Sequence, residues 1–132
     1  MKTGLLLGAV ALATFASSLP TLAEDYVGGA VKTMEIGGQE VLTDANGMTL
    51  YTYDKDTAGA SNCYDQCAVN WPPLFAADGA AAEGDFTIVE RTDGTKMWAY
   101  DGMPLYLWVK DTKPGDTTGD GVGGVWHTAV ED

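Results

Sequence analysis

Apolar and polar residues alternate in several short stretches of the chain, and turn signals separate the stretches. In the first half this pattern predicts strands at 30–36, 40–43 and 48–53, divided by Gly37-Gly38 and Asn46-Gly47. An Asn-Gly pair supplies the positive backbone angles of a tight hairpin turn. In the second half the pattern predicts strands at 86–91, 96–100, 105–109 and 125–130. Short strands with little helix indicate an all-β fold, either a compact sandwich or a barrel of antiparallel strands.

The stretch at 48–53 places different side chains on its two faces. Met48 and Leu50 share one face, and Tyr51 and Tyr53 share the other, because successive residues of a strand point in opposite directions. One face is aliphatic and the other aromatic. We therefore expect both faces of this strand to be covered.

The segment 47–57 occurs a second time at 102–112. Seven of the eleven positions are identical in the two segments, and the same shift carries Trp71 onto Trp126 without a gap. A match of this length indicates an internal duplication, with copies at about 30–74 and 85–130. Two copies are too few for a repeat solenoid, so we expect two related halves that share one core.

The segment 61–71 predicts one short helical turn, capped by Ser61 or Asn62 and ended by Pro72-Pro73. It contains the only two cysteines, Cys63 and Cys67. Positions four apart on a helix face the same way, and an even cysteine count in a small exported chain is typical of a disulfide. The alternative is a soft-metal site, with copper as the metal, in which these thiolates act with His127.

The N-terminal stretch, 1–23, has the pattern of a secretory signal peptide. Lys2 precedes an apolar run from Leu5 to Ala16, and small residues lead up to Ala23. The run is shorter than the roughly 20 residues that span a bilayer. We predict cleavage after Ala23 and a single periplasmic or secreted β domain, 24–132, without stable membrane insertion.

The predicted domain is strongly acidic, which narrows its possible partners. It contains all 19 acidic residues and six of the seven basic ones, a net charge of −13. A protein of this charge repels phosphate backbones. We therefore expect no nucleic-acid partner.

The aromatic residues cluster in and beside the duplicated segments. We expect them to fill the common core, and the alternative is an exposed platform for a sugar, a quinone or a peptide. Asp56 and Asp111 each follow a tyrosine by five positions, and we predict that each carboxylate accepts from backbone amides of the following loop. No catalytic set is indicated, so a non-enzymatic role is favoured while enzymatic activity is left open.

The sequence around these residues resembles that of a family of small bacterial secreted or lipoprotein repeats of unknown function. The family has a Tyr-x-[Phe/Trp/Tyr]-x-x-Asp motif. The resemblance implies an exported protein and transfers no catalytic residue. The resemblance leaves the activity open. Our leading hypothesis is a non-enzymatic envelope binding module with an unknown ligand or protein partner and no cofactor, and a copper protein is the alternative. The residues that carry the resemblance are Tyr51, Tyr53, Asp56, Trp71, Tyr106, Trp108, Asp111 and Trp126.

Overall fold

The computed structural model describes residues 24–132, and short strands dominate this part of the chain. The predicted signal peptide, 1–23, lies outside the described residues. The all-β prediction is confirmed, with one short helix, α1, at Gln66–Asn70 and 3-10 turns at Val27–Gly29 and Val122–Gly124. The strands are β1 Asp25–Tyr26, β2 Val31–Ile36, β3 Gln39–Asp44, β4 Tyr51–Tyr53, β5 Phe86–Glu90, β6 Lys96–Tyr100, β7 Met103–Pro104 and β8 Trp126–Thr128.

These strands form three small antiparallel sheets. The first has the order β1-β2-β3, the second pairs β4 with β8, and the third has the order β5-β6-β7. Each half contributes one hairpin, β2–β3 or β5–β6. Gly37 and Gly38, with φ of 61° and 85°, make the first hairpin turn, which glycine adopts without steric cost. Within residues 24–132, no helix has the length and hydrophobicity needed to cross a membrane.

The two halves meet where Tyr51 pairs with its own copy, Tyr106. The backbone N–H of Tyr51 donates to the carbonyl of Tyr106 at 2.8 Å, and the N–H of Tyr106 donates back at 2.9 Å. A residue that exchanges both hydrogen bonds with its duplicate lies beside a twofold axis that relates the copies. The structure therefore has internal pseudo-twofold symmetry.

The last segment of each half crosses to the other half. These segments are residues 70–76 and 125–131. In the first, Leu74 donates its N–H to Leu105 at 2.9 Å; in the second, its equivalent Ala129 donates to Leu50 at 2.8 Å. The two donors occupy equivalent positions of the repeat, and so do the two acceptors. Each half therefore completes the hydrogen bonding of the other, which the duplication alone did not predict.

Three of the predicted strands differ clearly from what the alternation of residues predicts. The last strand, β8, covers only Trp126–Thr128 rather than 125–130. The third strand covers only Tyr51–Tyr53 rather than 48–53. The strand predicted at 105–109 is absent; instead β7 lies at Met103–Pro104, and Tyr106 forms single bridges to Tyr51 and Pro73. Proline has no backbone N–H, so a neighbour that contains Pro72 and Pro73 cannot supply a continuous ladder.

The core consists of two clusters, and both draw on the two halves. Leu50 and its copy Leu105 lie in an aliphatic-rich cluster with Leu42 and Trp98, whereas Tyr51 lies in an aromatic-rich cluster. Leu50 and Tyr51 are both 0 % exposed. The prediction that both faces of this strand are covered is confirmed.

The predicted helical turn is present, but its predicted cap is not. Asp65, with φ of 56°, precedes α1 and makes no side-chain cap bond. The hydroxyl of Ser61 instead lies 2.5 Å from that of Tyr106. The hydrogen-bonding capacity of Ser61 is thus used in the core rather than at the helix terminus.

Candidate functional site

Four aromatic rings form one continuous stack through the aromatic cluster. The ring of Tyr53 stacks on Trp126 at 4.2 Å, Trp126 on Trp71 at 3.8 Å, and Trp71 on Trp108 at 3.9 Å between centroids. Tyr53 is the equivalent of Trp108, and Trp71 is the equivalent of Trp126. The pseudo-twofold axis therefore passes between the two central rings.

The central rings of this stack belong to the core. Trp71 and Trp126 are each 4 % exposed, and only the outer rings of Tyr53 and Trp108 are half-buried. Tyr51 packs its edge against Trp71 at 5.4 Å between ring centroids. The rings thus fill a common interior, as the core interpretation predicts, and two of them are too buried to form an open platform.

The tyrosines of one half donate their hydroxyl groups to the aspartates of the other half. The hydroxyl of Tyr51 donates to Asp111 at 2.6 Å, and that of Tyr106 donates to Asp56 at 2.7 Å. Both aspartates are buried, at 8 % and 6 % exposed. Within each copy the tyrosine and the aspartate belong to the same sequence motif. Each hydrogen bond, however, joins the tyrosine of one copy to the aspartate of the other copy.

The second oxygen of each carboxylate accepts from its own following loop. Asp56 accepts from the N–H of Asn62 at 2.7 Å, and Asp111 accepts from the N–H of Thr118 at 3.0 Å. The predicted capping of loop amides is therefore present in both copies. Burial raises the pKa of Asp56, against the hydrogen bonds from Tyr106 and Asn62, which favour its ionised form.

Arg91 distinguishes the Tyr106–Asp56 pair from the Tyr51–Asp111 pair. The residue is 4 % exposed. Its guanidinium donates to Ser61 at 2.9 Å and to the carbonyl of Cys63 at 2.7 Å, and lies 4.1 Å from the ring centroid of Tyr64. Ser61 in turn contacts the hydroxyl of Tyr106. A chain of hydrogen bonds therefore links the buried Arg91 cation to the buried Asp56 carboxylate.

The predicted metal ligands are not gathered into one group. Cys63 and Cys67 form a disulfide, with a 5.2 Å separation of their Cα atoms. His127 lies on β8, and its Nε2 is 2.8 Å from the carboxylate of Asp54. Among residues 24–132, no group of three or more His, Cys, Asp or Glu side chains is placed to hold a metal ion. The copper alternative stays a prediction, to be tested with free thiols and chelators.

A cavity of about 370 Å³ opens between β1, the start of β5 and the end of the chain. Three neighbouring aromatic rings line it. The ring centroids of Tyr26 and Phe86 are 5.0 Å apart, as are those of Phe86 and Tyr100. The remaining lining residues are Asp25, Val27, Gly28, Glu83, Gly84, Asp85 and Glu131.

Acidic groups crowd the side of this cavity. Asp101 lies outside the lining but donates its backbone N–H to the lining residue Asp85 at 3.0 Å. A hydrogen bond with Asp132, partial burial and the charges of Asp132 and Asp85 raise the pKa of Asp101 to about 6. The hydroxyl of Tyr26 contacts the carboxylates of Glu24 and Glu131. Hydrogen bonds to these carboxylates raise the pKa of the Tyr26 phenol above its ordinary value. The cavity is therefore both aromatic and strongly negative.

This cavity was not predicted from the sequence. The sequence feature that marks the cavity is an acidic residue directly before an aromatic one, as in Asp25-Tyr26 and Asp85-Phe86. These dipeptides lie in different halves of the chain, and neither belongs to the repeated motif. Only the fold brings them together.

A family model described as a secreted repeat of unknown function matches the chain twice, at residues 32–75 and 87–130. The two matches cover most of the chain. The protein belongs to this family. The matched ranges coincide with the two halves that the sequence comparison predicts, so each half of this secreted repeat is one family unit.

The secreted repeat has no match among curated proteins or solved structures. The family description supports export and contains no activity.

Proposed function

We propose that this secreted repeat is a non-enzymatic binding module of the periplasm or cell envelope, and that the cavity lined by Tyr26, Phe86 and Tyr100 is its binding site. The observation that supports the proposal is the form of the cavity. Small-molecule sites are concave, of about 300–1,000 Å³, and combine apolar or aromatic walls with a few polar groups. This cavity has the required volume and both kinds of group.

The ring stack has a structural role in this proposal. Its two central rings are almost fully buried, and the outer ring of Tyr53 lies on β4, which pairs with β8 of the other half. The stack and the crossed tyrosine–aspartate pairs hold the scaffold rigid. A rigid scaffold that carries a separate surface cavity is the arrangement expected of a binding module.

Amide NMR spectra of the purified protein test the proposal. A mixed set of small sugars, carboxylates, amines and aromatic alcohols is added one compound at a time. We expect at least one class of compound to shift the amide signals of residues 25–28 and 83–86, while signals of α1 stay in place. Shifts confined to other regions would contradict the assignment of the site.

A pair of variants gives a matched control for the cavity. Glu83→Trp places a large side chain at the cavity wall, whereas Glu90→Trp makes the same change at an exposed position later in β5. We expect the first variant to lose binding and the second to keep it. Equal binding by both variants would show that the cavity is not the site.

A further inference from the structure

We propose that the cavity binds organic cations, namely compounds with an ammonium or guanidinium group on an apolar body. This inference rests on the proposed binding function and names the class of its ligand. It follows from the aromatic lining, the lining charges and the volume of the cavity.

The aromatic lining supplies the first argument. Tyr26, Phe86 and Tyr100 form a row with 5.0 Å between successive ring centroids. Phe86 and Tyr100 are 3 % and 8 % exposed and are fixed by core packing, whereas the half-buried Tyr26 has the ring that a ligand can reach. The faces of such rings attract cations within about 6 Å of the centroid, and clustered aromatic rings are a known way to bind quaternary ammonium groups.

The lining charges supply the second argument. Four carboxylates line the cavity, from Asp25, Glu83, Asp85 and Glu131, and no Lys, Arg or His among residues 24–132 lines it. Asp25 is already paired with a cation, Lys32, at 3.3 Å. Glu131 is held by the hydroxyl of Tyr26. The side chains that are left to meet a ligand cation are those of Glu83 and Asp85.

The volume and spacing distinguish an organic cation from a metal ion. Within residues 24–132, the carboxylates are not grouped closely enough to hold a metal. A cavity of about 370 Å³ is far larger than a single ion needs. Its size suits a compound that places an apolar body against the rings and its charged group near the carboxylates.

Four compounds that share an aromatic ring but differ in the charge of the attached group test the proposal. We measure binding of benzylamine, benzyltrimethylammonium, benzyl alcohol and benzoate by amide NMR titration at pH 7 and low salt. We expect both cations to bind about tenfold more tightly than the alcohol. Benzoate should bind more weakly still. Added salt should weaken the binding of the cations, because screening reduces their attraction to the carboxylates.

Two double variants, each of which removes two negative charges, distinguish the effect of the cavity carboxylates from the effect of the protein's overall negative charge. Glu83→Gln with Asp85→Asn neutralises the cavity wall, whereas Glu35→Gln with Glu90→Gln neutralises exposed residues of β2 and β5. We expect the first pair to weaken benzylamine binding about fivefold and the second to change it less than twofold. Circular dichroism checks that both proteins are folded.

The outcomes distinguish this inference from the binding function on which it rests. Equal binding of cations, alcohol and benzoate in the cavity would overturn the cation assignment and leave the binding module intact. Equal loss in both double variants would also overturn it, since general charge would then explain the binding. If none of the four compounds binds in the cavity but a member of the mixed set does, only the cation assignment fails; if nothing from either set binds there, the proposed function fails as well.

Discussion

Removing the hydroxyl of Tyr106 should destabilise the protein strongly, although the change deletes one atom from the core. Tyr106 is 0 % exposed, and its hydroxyl donates to the Asp56 carboxylate at 2.7 Å. The only proton of the Tyr106 hydroxyl goes to Asp56, so in the 2.5 Å contact between the two hydroxyls Ser61 is the donor. Tyr106→Phe therefore leaves a buried carboxylate and a buried hydroxyl each short of one partner.

The size of the effect follows from these partners. A hydrogen bond to a charged group contributes about 1.5–3 kcal/mol, and an unsatisfied buried hydroxyl adds to the loss. We expect Tyr106→Phe to cost about 3 kcal/mol, which corresponds to roughly 12 °C in Tm for a domain of this size. Tyr51→Phe should cost less, because Asp111 keeps two bonds from Thr118 whereas Asp56 keeps one from Asn62.

Urea unfolding followed by tryptophan fluorescence measures these losses, with Tyr53→Phe as the control at a half-buried ring. A double-mutant cycle then identifies the partner of Tyr106. Tyr106→Phe should be coupled to Asp56→Asn by about 2 kcal/mol and additive with Asp111→Asn. Coupling to Asp111, the partner within the same copy, would refute the crossed arrangement, as would a loss below about 0.5 kcal/mol.

Three further predictions concern other parts of the structure. Replacing both Cys63 and Cys67 by serine should lower the free energy of unfolding by about 2 kcal/mol on the chain-entropy model. The native protein should react with no thiol reagent, with or without a chelator. Thiols that react only after chelation would favour the copper site. Gly119→Ala should cost about 1–3 kcal/mol in urea unfolding, because its Cβ would lie 2.8 Å from the Trp71 ring. The folded protein holds the Asp101 proton up to about pH 6, whereas the unfolded chain releases it near 3.8, so this group lowers the free energy of unfolding as pH rises between these values. Asp101→Asn should reduce that fall, and an unchanged pH profile would contradict the raised pKa.

Much of the fold could be predicted from sequence because its signals are local. The alternation of Leu50 and Tyr51 predicted two covered faces, and Gly37-Gly38 predicted a hairpin. Repetition of the segment 47–57 at 102–112 predicted that equivalent residues have equivalent environments. Tyr51 and Tyr106 confirm this, since each pairs with the other and donates to an aspartate.

The crossing of the halves could not be predicted in the same way. Tyr106 and Asp111 are close together in the chain, so the motif suggests a contact within one copy, and nothing local indicates that the partner is Asp56. The cavity was missed for a related reason. Tyr26 and Phe86 are distant in the chain and lie outside the repeated segment, so only the packing of β1 against β5 reveals them.

The central claim is that each copy of the repeat is completed by the other, and separating the copies tests it most directly. The exposed connector can be cut between Ala81 and Ala82, giving fragments 24–81 and 82–132. Amide NMR spectra are recorded for each fragment and for their equimolar mixture. We predict that neither fragment alone gives the native signals and that the mixture restores them. Native signals from either fragment as an isolated monomer would contradict the claim.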